Sequence, residues 1–326
     1  MNRSALIIAV FTLATWAAAQ TAGQTTQNPP TAGQSTGSQP AQGAQAGGQT
    51  APGTPAAPAG KRPPQAKTQP EYDAYKAALS GPTPGQAPDP ATLEKAADDF
   101  ATKFPDSELR LLLYKNAMRT YQNSNNPDKA EAMGRKVVSI DPDDPEALVM
   151  VAEVIAEKTR DSDLDKEQRY AEAVSMAQKA TQTVDTDVSV PQGTPQEKID
   201  AYKALLLSNA YSILGTIEFK KENYPAAQTD LQKSIDAYPS QPDTVVVLRL
   251  ALALDKQQKY PDALKVANRA VDLTQENSQV GTLARRERDR LQQLTGGAVT
   301  PQSQPPAQPP QTQPPAQQPE TKPPQN

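Results

Sequence analysis

The chain has 326 residues, a formal net charge of −4, no histidine and no cysteine, and only 36% of its residues are hydrophobic. Without histidine and cysteine it lacks the commonest general base, the thiolate nucleophile and the usual ligands of zinc and haem, so we predict no catalytic activity, no cofactor and no metal. A disulfide is excluded as well, and 33 prolines at this low hydrophobic content exclude one packed globule over the whole length.

The first residues, MNRSALIIAVFTLATWAAAQ, are typical of a secretory signal. A charged start at Arg3 precedes an apolar run, and small residues lead to Ala17-Ala18-Ala19, which fits an Ala-x-Ala cleavage site. We therefore predict a signal peptide over residues 1–19 and an exported protein, periplasmic or secreted. The alternative is an uncleaved signal anchor, in which these residues tether the protein to a membrane facing the periplasm, although the apolar run is short for a spanning helix.

Two segments have the composition of disordered chain. Almost every residue of 20–69 is glutamine, threonine, alanine, glycine, serine or proline, and residues 296–326 are rich in proline and glutamine. Such segments have little apolar surface to bury, and proline removes backbone hydrogen-bond donors. We predict a disordered linker at 20–69 and a disordered tail at 296–326, which leaves 70–295 as the folded domain.

The region between these segments repeats itself. Its apolar residues have helical spacing, turn residues return about every 34 residues, and the stretch NYPAAQ at 223–228 is echoed by KYPDAL at 259–264. One helical hairpin has too little area to bury such an apolar stripe, so successive hairpins must stack. Small residues such as Gly215 and Ala227 then allow two helix backbones to cross closely.

This pattern predicts an all-α domain of stacked hairpins closed by a capping helix. The third hairpin has an enlarged loop around KTRDSDLDK. The predicted hairpins lie at about 71–105, 111–144, 145–187, 208–241 and 244–277, and the capping helix lies at 278–294.

One hairpin carries a recognisable motif. Leu214-Gly215, Tyr224, Ala227 and Pro239 stand where the tetratricopeptide repeat has its characteristic residues, so the chain resembles that family. The phrase FATKFPDSEL at 100–109 is similar to tetratricopeptide modules of bacterial cell envelope proteins. The resemblance implies a right-handed α-solenoid of helix-turn-helix repeats. The sequence departs from the family pattern at Met118, Glu218 and Gln275.

The resemblance also implies where a partner binds. In such solenoids the first helices of the hairpins line a concave groove that holds a protein or peptide segment. The groove-facing candidates in this chain are Leu112, Lys115, Arg119, Gln122, Glu146, Val149, Glu153, Asn209, Ser212, Thr216, Phe219, Val245, Leu248 and Leu252. The last three are apolar, and we expect them to pack beneath the capping helix rather than to bind a hydrophobic partner. The ordered Lys and Asn set that clamps a terminal carboxylate in some family members is incomplete, because Arg119 replaces the Asn.

An acidic stretch invites a calcium hypothesis. Asp161, Asp163, Asp165 and Glu172 have the spacing of positions 1, 3, 5 and 12 of a calcium loop. Lys166 stands where that loop needs glycine for its sharp turn, so we predict a solvated acidic loop instead.

The predicted function is protein binding. The most basic stretch, RRERDR at 285–290, alternates in sign as a solvated helix face does, so nucleic acid is not an expected partner. We predict an exported, non-catalytic scaffold for protein–protein interactions in the cell envelope. The alternative is a membrane-tethered structural or self-associating protein.

Overall fold

A computed structural model describes residues 61–81, 83, 86–191 and 193–296. The predicted signal peptide at 1–19, most of the predicted linker and all but the first residue of the predicted tail lie outside these ranges. Within them the chain forms α-helices and no strand. The helices are α1 (Gln69–Ala78), α2 (Pro90–Lys103), α3 (Leu109–Asn123), α4 (Pro127–Ile140), α5 (Pro145–Lys158), α6 (Lys166–Asp187), α7 (Gln196–Lys220), α8 (Tyr224–Ala237), α9 (Thr244–Lys256), α10 (Tyr260–Asp272) and α11 (Gln279–Leu294).

The predicted all-α solenoid of stacked hairpins is confirmed. Each helix packs chiefly against its neighbours in the chain, which gives the hairpins α3–α4, α5–α6, α7–α8 and α9–α10. The odd-numbered helices also contact one another, as in the pairs α1–α3, α5–α7, α7–α9 and α9–α11. They therefore form one layer of the stack, and α11 covers its last hairpin. No helix in the described ranges is both long enough and apolar enough to span a lipid bilayer.

The helix starts follow from local sequence. Many of the helices begin with proline in the first turn, where its missing N–H costs no hydrogen bond. Side chains of the preceding residues accept hydrogen bonds from backbone N–H groups that have no partner inside the helix. Proline stands at the first or second position of α1, α2, α4, α5, α8 and α10, and the capping side chains include Asp89, Asn126, Asp144, Asp243 and Ser278.

Small residues lie where helices cross, as predicted. Ala227 and Ala263 are completely buried. At Gly215, an added Cβ would lie 2.7 Å from Cγ of Leu231 on α8, which is far closer than two carbon atoms can approach. The α7–α8 crossing therefore depends on glycine at this position.

Glycine also explains one departure from the family pattern. Met118 of α3 is completely buried where the family usually has a smaller residue. A Cβ added at Gly134 of α4 would lie 3.3 Å from the Met118 sulfur and 2.7 Å from Cγ2 of Val151. The larger side chain on α3 is thus accommodated by a glycine opposite it.

Two parts of the fold differ from the predicted boundaries. Helix α7 begins at Gln196, three turns before the start predicted at residue 208. Its first turns bury Ile199 and Leu206, and Leu206 packs with Val184 and Val188 at the end of α6. A repeat length of about 34 residues does not predict these additional turns of α7, because their apolar residues extend a helix instead of adding a hairpin.

The second difference is at the start of the domain. Residues 61–69, which were assigned to the linker, lie against the helices: Lys61 Nζ is 2.7 Å from both carboxylate oxygens of Asp141, and Arg62 Nη2 is 2.8 Å from Glu108 Oε1. Thr68 then caps α1 in a capping box with Glu71. The overall composition does not predict that this segment is ordered. Its position depends on a few cations that pair with carboxylates far away in the chain.

Candidate binding site

The described residues enclose a cavity of about 400 Å³ on the layer of odd-numbered helices. Its walls come from α1, α3, α5 and α7, from Pro63 and Pro64, and from the connection between α6 and α7. Many of the side chains on these walls are apolar, among them Leu112, Val149 and Leu205. A cavity of this size and character suits part of a ligand or a few peptide side chains.

The cavity gathers predicted groove residues from the first helices of three hairpins. Lys115, Arg119 and Gln122 of α3 line it, as do Glu146, Val149 and Glu153 of α5 and Asn209 of α7. The remaining candidates of α7 and α9, namely Ser212, Thr216, Phe219, Val245, Leu248 and Leu252, are not part of its lining.

Two of the predicted cations are used inside the fold. Lys115 is buried, and its Nζ is 2.6 Å from Asp144 Oδ2 and 3.0 Å from Glu146 Oε2. Arg119 donates hydrogen bonds from Nε and Nη2 to the two carboxylate oxygens of Glu146. These contacts join α3 to α5, so both cations serve first to hold the two helices together.

The electrostatics of this cluster agree with its geometry. Burial opposes the charged form of Lys115, but the carboxylates of Glu146 and Asp144 outweigh it and raise the lysine pKa. Burial likewise opposes ionisation of Glu146, yet Arg119 and Lys115 lower its pKa. Lys115 and Glu146 therefore remain charged at neutral pH, and the contacts with Arg119 and Asp144 satisfy them inside the fold.

Glu153 is in a different position. It lies on α5 at the wall of the same cavity, and within the described ranges it makes no hydrogen bond or ion pair. Burial, with smaller contributions from the charges of Glu157 and Asp243, raises its pKa to about 7. The cavity thus contains an acidic group without a counter-ion.

The candidates at the C-terminal end are used in packing. Leu248 is buried in the same core cluster as Ala284 and Leu291 of α11, and Leu252 packs against that cluster. This is the packing role expected for the apolar end of the groove. Nearby, Thr216 accepts a hydrogen bond of 2.8 Å from Arg249 Nη1, and the ring of Phe219 meets that of Tyr224 edge-on at 5.5 Å.

The acidic loop between α5 and α6 is not arranged around a common centre. Glu172 Oε1 accepts a hydrogen bond of 2.6 Å from Arg135, and Asp163 accepts one from the backbone N–H of Arg160. In the part of the chain that the structure describes, no group of acidic residues is placed to hold a metal ion.

Several residues of the cavity wall were not indicated by the sequence. Pro63, Pro64 and Pro191 line the cavity from segments outside the predicted hairpins, and Tyr202 and Leu205 line it from the first turns of α7. The helical spacing of Ile199, Tyr202 and Leu206 is the signal that would have revealed the helix there. Nothing comparable marks the proline segments.

Comparison with known proteins adds little to this description. No family model and no curated protein sequence matches the chain. Among solved structures, the MamA RS-1 ArsTM double mutant is 16% identical over 57% of this chain and 94% of its own, with a TM-score of 0.35. The APC/C hetero-tetramer Cut9-Hcn1 is 14% identical over 68% of this chain and 43% of its own, with a TM-score of 0.30. The assembly chaperone of RpL4 (Acl4) is 14% identical over 64% and 99%, with a TM-score of 0.26.

Proposed function

We propose that this protein is a non-catalytic scaffold that binds a segment of a partner protein in the cavity between α3, α5 and α7. The observation that carries the proposal is the cavity itself, about 400 Å³ in volume and lined by successive first helices of a hairpin stack. Stacked hairpins present such surfaces to extended or helical peptides. The sequence offers no set of residues with a catalytic arrangement.

A filled cavity tests this proposal. Leu205 is half-buried on the cavity wall and belongs to none of the buried core clusters, so Leu205→Trp should fill the space without disturbing the core. The matched control is Leu164→Trp, because Leu164 is fully exposed in the acidic loop. A random heptapeptide library displayed on phage, selected against the full chain, should be enriched by the unaltered protein and by Leu164→Trp but not by Leu205→Trp. Equal enrichment by all three proteins, with equal melting temperatures, would rule out the cavity as the binding site.

The same proposal places the protein in the cell envelope. Support comes from the signal-like sequence of residues 1–19. The protein is either exported with its signal cleaved or tethered to the membrane by an uncleaved signal. N-terminal sequencing of the mature chain separates these alternatives: a start at Gln20 supports cleavage, and a start at residue 1 or 2 supports a membrane tether.

A second candidate function is self-association at the end of the stack. Leu283 and Leu294 on α11 are 47% and 51% exposed, which leaves apolar surface beside the buried face of this helix. Sedimentation velocity over a hundredfold concentration range tests it. A concentration-dependent increase in sedimentation coefficient that Leu283→Lys abolishes would support self-association, and a constant monomer value would exclude it.

A further inference from the structure

Among the described residues that line the binding cavity, Glu153 is an acidic group that the fold does not pair with a cation. Lys115, Arg119 and Glu146, which line the same cavity, are all satisfied by one another or by Asp144. Glu153 has no hydrogen bond or ion pair with any described residue. A carboxylate away from bulk water is costly unless an opposite charge or hydrogen-bond donors compensate it.

Neighbouring groups make this position more negative. Glu157 lies one turn further along α5, and Asp243 caps the start of α9; both disfavour the ionised form of Glu153. Two cations on the adjoining helices α7 and α9 make other contacts. Arg249 donates to Thr216, and Lys220 Nζ donates to the backbone carbonyls of Ala156 and Thr159.

The rest of the cavity wall around Glu153 is largely apolar. Val149 lies one turn before it on α5, and Leu205 and Leu206 face the same space from α7. A ligand that fits must therefore place a positive group against Glu153 and apolar groups against these side chains. Small hydrophobic ligands satisfy only the second requirement.

From this arrangement we propose that the cavity recognises a peptide segment in which a lysine or arginine side chain is flanked by apolar residues, with the cation paired to Glu153. The inference rests on the proposed function, because it specifies the chemistry of the partner segment for the same cavity. Complementarity of charge selects the cation, and the apolar walls select its neighbours. No cation of the described residues compensates a Glu153 carboxylate in the free protein, and a bound cation would stabilise its ionised form.

The peptide selection described above tests the inference and separates it from the proposed function. Peptides enriched by the full chain should contain lysine or arginine next to leucine, isoleucine, valine or an aromatic residue. The most enriched peptide, synthesised with a fluorescent label, should bind Glu153→Gln at least tenfold more weakly than the unaltered chain. Glu276→Gln is the matched control, because Glu276 is exposed beyond the last hairpin.

A double-mutant cycle identifies the pair itself. Replacing the basic residue of that peptide by methionine should weaken its binding to the unaltered chain tenfold and its binding to Glu153→Gln very little. If peptides are enriched and depend on Leu205 but carry no excess of basic residues, or bind Glu153→Gln unchanged, the inference fails and the proposed function stands. If no peptide distinguishes the unaltered chain from Leu205→Trp, the proposed function fails and the inference fails with it.

Discussion

The unbalanced charge of Glu153 has a consequence for stability that needs no ligand. Burial raises its pKa from 4.5 to about 7, and the unfolded chain has the ordinary value. Between these two pH values the folded protein therefore holds more protons at this site than the unfolded chain. Stability falls with rising pH wherever the folded state binds more protons, so the penalty is absent below about pH 4.5 and complete above about pH 7.

The size of the effect follows from the shift. One pKa unit corresponds to about 1.4 kcal/mol, so the shift sets an upper limit of about 3 kcal/mol at pH 8 and less than about 1 kcal/mol at pH 5. Glu153 retains some contact with solvent, which screens its charge, and we expect about half of this limit. Glu153→Gln should accordingly stabilise the protein by about 1–2 kcal/mol at pH 8 and by only a few tenths at pH 5.

Urea denaturation followed by far-ultraviolet circular dichroism at both pH values measures this difference. Glu276→Gln is again the control, and its effect should be small at both. A solenoid unfolds with contributions from each hairpin, so the comparison should use the shift of the transition midpoint at constant slope. If Glu153→Gln is less stable than the unaltered protein at pH 8, or shifts the midpoint equally at both pH values, then Glu153 has a partner and the reasoning is refuted.

Substitutions at three further positions test the packing of the hairpins. Gly215→Ala should lower the stability by about 1–3 kcal/mol, because the new Cβ would lie 2.9 Å from the backbone nitrogen of Leu231, and thermal melting would show it. Ala227→Leu should overpack the same crossing and lower the stability by a similar amount. An unchanged melting curve would contradict the repeat register. Asp144→Ala should cost about 3–5 kcal/mol by leaving the Lys115 charge buried without its closest partner, and Asp144→Asn, which keeps an oxygen to cap α5, should cost less in chemical denaturation.

The repeat core could be predicted from the sequence because it depends on local spacing. Apolar residues at helical intervals and small residues at crossings fix which face of each helix is buried, and Ala227 and Ala263 are buried as the pattern requires. The segment 61–68 could not be predicted in this way. It is held by pairs such as Lys61 with Asp141, which are 80 residues apart in the chain, and no local pattern records such a pair.

The candidate site also depends on contacts between residues far apart in the chain, which local sequence does not predict. Register alone identified Lys115 and Glu153 as groove-facing, and both line the cavity. Register does not tell which of these charges is balanced inside the fold. Lys115 meets a carboxylate 29 residues further along the chain, at the start of the next first helix, whereas Glu153 meets no cation among the residues that the structure describes. An unbalanced charge and a structural one therefore look alike until the helices are placed side by side.

The repeat itself explains why the charge is unbalanced at that hairpin. Arg119 of α3 is paired with Glu146 at the start of α5, which lies one first helix further along the stack. By repeat register Glu153 occupies on α5 the position that Arg119 occupies on α3, and Asn209 occupies on α7 the position of Glu146. The next link of the series would thus join Glu153 to Asn209, which carries no charge to neutralise it. The ion pair that Arg119 makes with Glu146 thus has no counterpart at Glu153, and Glu153 lies at the wall of the cavity, where a cation from another chain can pair with it.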